Sequence, residues 1–282
     1  WQQIDYPQQL VWKGALLRQI LRRIGHIELP EAPQVLAGQA PYQTRTRIRL
    51  KVSAEGRLCL SRRASHEMVE VRSCPVAAPA INQALPLLPR ILSEFALFES
   101  ASRHRYPIQA VSLLCSAEND ALAISLHLRR SRPSQLKVDA GWQALQAAIP
   151  LCRGLEIWQG WELIQTQGSP DIPHGSPPIL YSPGGFAQAS FSLNPLLVQT
   201  VLRWATQNPG IENALEIYAG RGNLTLPLAQ HGMRIWGLDA DARAVEAGRQ
   251  SALRAGLSQR VTFCVFDDTR DDLRAMCAHH GI

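Results

Sequence analysis

The stretch from Asn213 to Asp239, NALEIYAGRGNLTLPLAQHGMRIWGLD, admits few folds. Ala214, Leu215 and Ile217 form a short apolar run suited to a buried strand. Ala219-Gly220-Arg221-Gly222-Asn223 makes a tight turn, and Leu224 to Gln230 continues as a helix. Ile235-Trp236-Gly237-Leu238 is a second strand, closed by Asp239. Strand, glycine turn, helix and strand make the opening βαβ unit of a doubly wound α/β sheet, whose crevice lies at the strand ends. Gly220 and Gly222 let the backbone approach a ligand closely and take angles that other residues avoid. A carboxylate after the second strand suits a ribose, because it can accept from both hydroxyls. A lone GxG is a weak signal, since a ligand-free strand–helix turn has the same pattern. A dinucleotide site would want G-x-G-x-x-G, but Thr225 stands where the third glycine would be.

Upstream, Thr44 to Val52 alternates strictly. Thr46, Ile48, Leu50 and Val52 point one way, and Arg45, Arg47, Arg49 and Lys51 point the other. Arg57 to Arg63 returns as a second strand with Arg62 and Arg63 at its end, and Glu67 to Val71 is a third. Such a row of cations suits a phosphate backbone. It equally suits a solvated strand face balanced by neighbouring acids. The net charge of +6 and the pI of about 9.2 favour a nucleic-acid partner without requiring one. Nearly all the positive charge is Arg, which grips phosphate bidentately and stacks on bases.

Tyr6 to Ile24 reads as an amphipathic helix with Leu10, Leu16, Leu17, Ile20, Leu21 and Ile24 as its apolar stripe. Pro75 to Phe98 is expected to be helical, Ala110–Cys115 and Ala121–Leu128 a hairpin, Trp142–Ile149 a short helix, and Leu155–Trp158 with Trp161–Thr166 a second hairpin. Gly168 to Gly185, rich in Gly, Pro and Ser, is the expected domain boundary. Asn194-Pro195 reads as a helix start, with Asn as cap. A further helix spans Ala240–Ala255, and Val261–Phe266 is the third strand, ending at Asp267. The chain is long enough for two cores, and no apolar run approaches the roughly 20 residues of a membrane span. Six scattered cysteines without a CxxC pair point to a reducing, cytoplasmic setting.

The string LEIYAGRGNLTLPLAQHG resembles motif I of S-adenosylmethionine methyltransferases. With FAQASFSLNPLLVQTVLRWA ahead of it, the chain resembles the RNA uracil-C5 methyltransferase family. Members of that family carry F-x-Q-x-N before a helix, then L-D-x-Y-x-G-x-G-N-x-T-L-P-L-A. SHEMVEVRSCPVAAPAIN adds the Ser-His-Glu…Cys-Pro segment of the branch that modifies 23S ribosomal RNA. The resemblance covers nearly the whole chain.

This resemblance implies an α+β central domain over residues 1–180, facing RNA, followed over 181–282 by the first half of a Rossmann-like methyltransferase domain. It implies S-adenosylmethionine as cofactor, held by Gln188, Tyr218, Gly220, Gly222, Asn223, Asp239 and Asp267, with Asp268 as the alternative to Asp267. It makes ribosomal RNA the partner of Arg45, Arg47, Arg49, Arg62 and Arg63. Glu216 and Ser190 replace an Asp and an Asn of the family pattern, and Asp239 stands where Glu is commoner. Cys74 maps to the fourth ligand of a [4Fe–4S] cluster, but the other three cysteines of that pattern do not occur, so no cluster is expected in this chain. Without the resemblance, Cys74 would read as a small buried apolar residue. The family's nucleophilic Cys and base Glu lie in D-P-P-R, S-C-N-P and C-terminal segments that do not occur here. No catalytic residue is therefore assigned. Cys277 near His279 and His280 reads as an ordinary helix-end cysteine.

The chain opens on Trp1 rather than Met, and is expected to be an interior fragment of a parent that is a monomer and not membrane-bound. Three alternatives stand beside the ribosomal-RNA reading: the transfer-RNA branch, a non-catalytic RNA-binding remnant, and a small-molecule methyltransferase. A sheet that stops after three strands would leave its first strand with an open edge, which predicts poor solubility.

Overall fold

The computed structural model describes residues 1–38, 40–95, 107–129, 137–207 and 210–280, the side chains of residues 279 and 280 excepted. Two compact units divide at Tyr42 and Gln43. The first unit is built on α1 (Tyr6–Ile24), started by Asp5, whose carboxylate accepts from the Gln8 amide at 3.4 Å. The predicted apolar stripe is not a buried face. Leu16, Leu17, Ile20 and Ile24 are exposed, while Gln9 and Gly14 are the residues α1 buries. Residues 25–38 form no second helix or strand against which a stripe could pack.

The second unit opens with β1 (Arg47–Val52), β2 (Leu58–Ser61) and β3 (Met68–Glu70), then α2 (Pro79–Ala84) and α3 (Leu88–Phe95). The helix expected from Pro75 is thus two short helices broken at Leu85–Leu87, and its last residues, 96–98, lie outside the described residues. Next come β4 (Ile108–Cys115), β5 (Leu122–Leu128), α4 (Val138–Ala148), β6 (Cys152–Gln159) and β7 (Glu162–Gly168). Both expected hairpins form, β4 with β5 and β6 with β7. Seven strands assemble in the order β3-β2-β1-β4-β5-β6-β7, with only β5 and β6 parallel.

Register gives this sheet two unlike faces. Ile48, Leu50, Val111, Leu113, Ile124, Leu126, Leu155 and Ile157 pack with α2, α3 and α4 into one core. On the other face Arg49 stands opposite Ser112, then Ser125, then Glu156, with His127 and Trp158 in the next row. Ser112, Ser125, His127 and Glu156 are all buried, so something must cover this polar face.

The cover begins in the stretch expected to hold the domain boundary. β8 (Ile172–His174) and β9 (Ile179–Tyr181) form a small hairpin, and Ile172, Ile179 and Tyr181 enter a second core. That core includes Leu114 and Ala123 from the large sheet and Phe191, Leu226, Ile235 and Phe263 beyond it. Next come α5 (Asn194–Thr206), β10 (Asn213–Ile217), α6 (Thr225–Gln230), β11 (Arg234–Asp239), α7 (Ala242–Arg254), β12 (Val261–Val265) and α8 (Leu273–His280). Asn194 does not cap α5, because the helix already includes it and its amide is committed to Asn223. β10, β11 and β12 pair in parallel in that order, as the βαβ pattern predicts. β10 is paired on one side only and leaves Ile217 exposed. No described helix is long and apolar enough to cross a membrane.

Candidate functional site

Parallel pairing places the C-terminal ends of β10, β11 and β12 side by side, where ligands of open α/β sheets bind. Tyr218 leaves β10 with φ +62°, a left-handed conformation costly for a bulky residue. Tyr218 is 69 % exposed, and its hydroxyl donates to the Asp268 carboxylate at 2.5 Å. That contact raises the Tyr218 hydroxyl above its ordinary pKa. The Gly220 amide donates to Asp239 Oδ2 at 2.8 Å, while Asp239 Oδ1 accepts from the Asp241 amide at 2.9 Å. The acid ending β11 therefore holds the glycine turn that ends β10. Tyr218, Gly220, Asp239 and Asp268 gather at one edge.

The two glycines have different work. A Cβ on Gly220 would meet nothing within 4 Å, so this side of the turn is open to a ligand. A Cβ on Gly222 would lie 2.8 Å from the Phe263 ring, so this glycine serves packing. Thr225, in place of a third glycine, is buried and donates from its hydroxyl to Glu216 at 2.5 Å. Asn223 turns away from the open side: its carboxamide pairs with Asn194 at 2.7 and 2.9 Å and accepts from Tyr181 at 2.9 Å. Asp267 is used in its own turn, accepting from the Thr269 amide and hydroxyl and meeting Arg270 at 3.3 Å. The Thr269 hydroxyl lowers the pKa of Asp267 most, and its amide adds to the effect. Asp268, its alternative, is the acid that meets Tyr218.

Gln188 is half-buried on the segment that crosses the polar face of the large sheet. That segment is tied to the start of β1, where the Thr46 amide donates to the Ala189 carbonyl at 2.8 Å and the Phe191 amide to the Thr46 hydroxyl at 3.1 Å. Arg47 takes part, donating to the Gly185 carbonyl at 2.9 Å. Its guanidinium thus faces the covering loop rather than solvent. Arg49 donates to His127 Nε2 at 3.2 Å, and Lys51 to Ser61 at 2.7 Å. Arg62 pairs with Glu67 at 3.1 Å, the balancing acid that the solvated-face reading anticipates. Arg45, Arg49, Arg62 and Arg63 are exposed.

Cys74 is half-buried beside Asn82, which accepts from its amide at 2.8 Å. Among the described residues no three His, Cys, Asp or Glu side chains could hold a metal ion together. A four-thiolate cluster does not fit these residues. A cleft of about 360 Å³ opens between α5 and the β8–β9 turn, with Glu118, His174, Asn194 and Asn223, the last residue of the glycine turn, in its wall. Sequence reasoning missed Arg221 and Phe263. Interior glycines at Gly237 in a strand and Gly248 in a helix were the available hints that something large approaches there.

Half-buried Glu216 and buried His127 titrate in opposite senses. Burial pushes the Glu216 carboxyl up to about 7, with Asp239 adding to the rise and the Thr225 hydrogen bond opposing it. The fold therefore holds a proton that the unfolded chain has released between about pH 4.5 and 7, and stability falls as pH rises through that window. Burial, then Arg49 and Arg47, push His127 down to about 4, so unfolding takes up a proton and stability rises with pH between about 4 and 6.5. Glu216→Gln removes only the first effect. Urea melts should show the variant gaining on wild type by on the order of 2–3 kcal/mol from pH 4.5 to 7.5. A constant difference across that range would mean that Glu216 is ionised in the fold.

No protein-family model matches the chain. The 23S rRNA (uracil(1939)-C(5))-methyltransferase RlmD of Pectobacterium carotovorum is 29% identical over 273 residues, covering 93% of this chain and 56% of that protein. The enzyme of the same name from Pectobacterium atrosepticum is 30% identical over 267 residues, 91% of this chain and 54% of that one. That of Klebsiella pneumoniae is 28% identical, covering 99% and 61%. The chain thus spans between 54% and 61% of these relatives. Among solved structures, the Pyrococcus abyssi tRNA (uracil-54, C5)-methyltransferase in complex with S-adenosyl-L-homocysteine is similar with a TM-score of 0.71. It is 18% identical and is matched over 96% of this chain and 66% of that one, a likeness of fold. Along nearly its full length the chain is thus similar to 23S rRNA uracil-C5 methyltransferases, and it shares the fold of the Pyrococcus enzyme.

Proposed function

We propose that this chain is the cofactor-holding part of an enzyme that methylates uridine C5 in 23S ribosomal RNA, giving 5-methyluridine. The observation that carries the reading is the joined edge of Tyr218, Gly220, Asp239 and Asp268, open on the Gly220 side. S-adenosylmethionine supplies, when bound, an electrophilic methyl group. Asp239 would accept from the ribose hydroxyls, and Gly220 would let the backbone approach. Asp268 or Asp267 would accept from the adenine amino group, and Gln188 would close the site from the neighbouring segment. Residues 181–282 would form this cofactor domain and residues 1–180 the RNA-facing one. Arg45, Arg49, Arg62 and Arg63 would meet phosphate, with Arg47 assigned to holding the loop. The names of the curated relatives favour ribosomal over transfer RNA. The cytoplasm is the compartment that suits this substrate and six scattered cysteines without a CxxC pair.

Calorimetric titration of the chain with S-adenosylhomocysteine tests the reading. Removing a charged acceptor costs about 1.5–3 kcal/mol, so Asp239→Ala should weaken binding about 10- to 100-fold. A wild-type chain that binds RNA but not S-adenosylhomocysteine would instead be the non-catalytic remnant. Equal binding by wild type and Asp239→Ala would place the ligand elsewhere.

A further inference from the structure

We infer that Arg221, the residue between the two turn glycines, is a positioning residue that locks the glycine turn to the loop leading to Gln188. The inference rests on the cofactor reading above and names a residue that the reading leaves out.

Arg221 projects from the turn into the protein, where its side chain is 11% exposed. Its Nη1 donates to the Leu180 carbonyl at 2.7 Å, its Nη2 to the Ser182 hydroxyl at 3.0 Å, and Asp171 Oδ1 stands 3.7 Å from Nη1. Leu180 and Ser182 belong to the strand and loop between the β8–β9 turn and Gln188, and Asp171 immediately precedes β8. A Cβ on Gly185 would lie 3.1 Å from Arg221 Nη2, so that glycine leaves the guanidinium its space.

The loop is gripped from its other side as well. Glu156, buried on β6, accepts from the Gly184 amide at 2.9 Å and from Trp158 Nε1 at 2.9 Å. Arg47 on β1 donates to the Gly185 carbonyl at 2.9 Å. Three charged side chains thus converge on residues 180–185, two from the large sheet and one from the glycine turn. Arg221 is the one that belongs to the turn. A guanidinium suits this role because its planar fork makes several directed bonds at once with little further loss of freedom. Without it, Gly220 and Gly222 would keep their backbone freedom, and a ligand would have to order the turn on binding.

The test uses the 282-residue chain, S-adenosylhomocysteine as probe, and hydrogen exchange read amide by amide. Arg221→Met keeps the length and the apolar stem. It should raise the dissociation constant about tenfold and speed exchange at Gly220 and Gly222. Leu215 on β10 and Trp236 on β11 should stay as protected as in wild type. Arg221→Lys, which can still reach one acceptor, should recover part of the affinity. Unchanged affinity in Arg221→Met overturns the inference. So does a loss accompanied by equally faster exchange throughout β10, β11 and β12, which marks a purely structural role. If Arg221→Met does not fold, Ser182→Ala, which removes one partner, decides. Weaker binding with local exchange at the turn supports the clamp, and wild-type affinity sinks it. A wild-type chain that does not bind the probe refutes the cofactor reading, and this inference falls with it.

Discussion

Phe263→Ala is expected to lower the unfolding free energy by about 3–5 kcal/mol, the usual cost of emptying a core aromatic site. Phe263 is 3% exposed. Cβ atoms built at Gly222, Gly237 and Gly248 would lie 2.8, 2.9 and 2.7 Å from it. The turn, β11 and α7 have each given up a side chain to admit one ring. At those three positions there is no side chain to fill the gap, which closes only as far as Leu226 and the other core side chains shift. Domains of this kind have total stabilities of about 5–15 kcal/mol, so much of the fold's margin would be lost. An unfolding free energy within about 1 kcal/mol of wild type, at unchanged denaturant slope, would show that the three glycines do not build the Phe263 site.

Gly222→Ala should cost about 2–4 kcal/mol, from two sources. At φ +94° an L-residue is strained by about 1–3 kcal/mol, and the new methyl group overlaps Phe263 and Leu226. Gly220→Ala is the matched control. Its φ of +58° is the left-handed region that an L-residue enters for about 1–2 kcal/mol, and its Cβ meets nothing. The pair should separate stability from binding. Gly222→Ala unfolds early, whereas Gly220→Ala stays folded and loses affinity for S-adenosylhomocysteine, because its methyl group enters the open side. Equal melting of the two would contradict the division of labour between the glycines.

That division also shows where sequence reading stops. The βαβ unit was legible because its signals are local: an apolar run, a turn, a helix and a second run closed by Asp239. Its three strands pair as the pattern predicts. The purpose of Gly222 was not legible, because the ring that requires it comes from a later strand. The alternation of β1 likewise showed which residues share a face, and Ile48, Leu50 and Val52 are buried as it requires. It could not show that residues 182–191 lie across the opposite face and engage Arg47. A cation row looks the same in sequence whether water, RNA or the chain's own carbonyls meet it. The stripe of α1 fails for a related reason, since periodicity records a face but not whether a partner element exists. Asn194 looked like a helix cap because Asn-Pro is a common start, and a long-range pair with Asn223 overrode the local preference.

An amide shift map of the chain titrated with S-adenosylhomocysteine decides whether the glycine turn is the cofactor site. The account predicts shifts confined to Tyr218–Asn223, Asp239–Asp241 and Asp267–Asp268, with a smaller response near Gln188. Shifts centred on Glu118, His174 and Val198 would place the ligand in the cleft beside α5, and contradict the assignment of the glycine turn as the cofactor site.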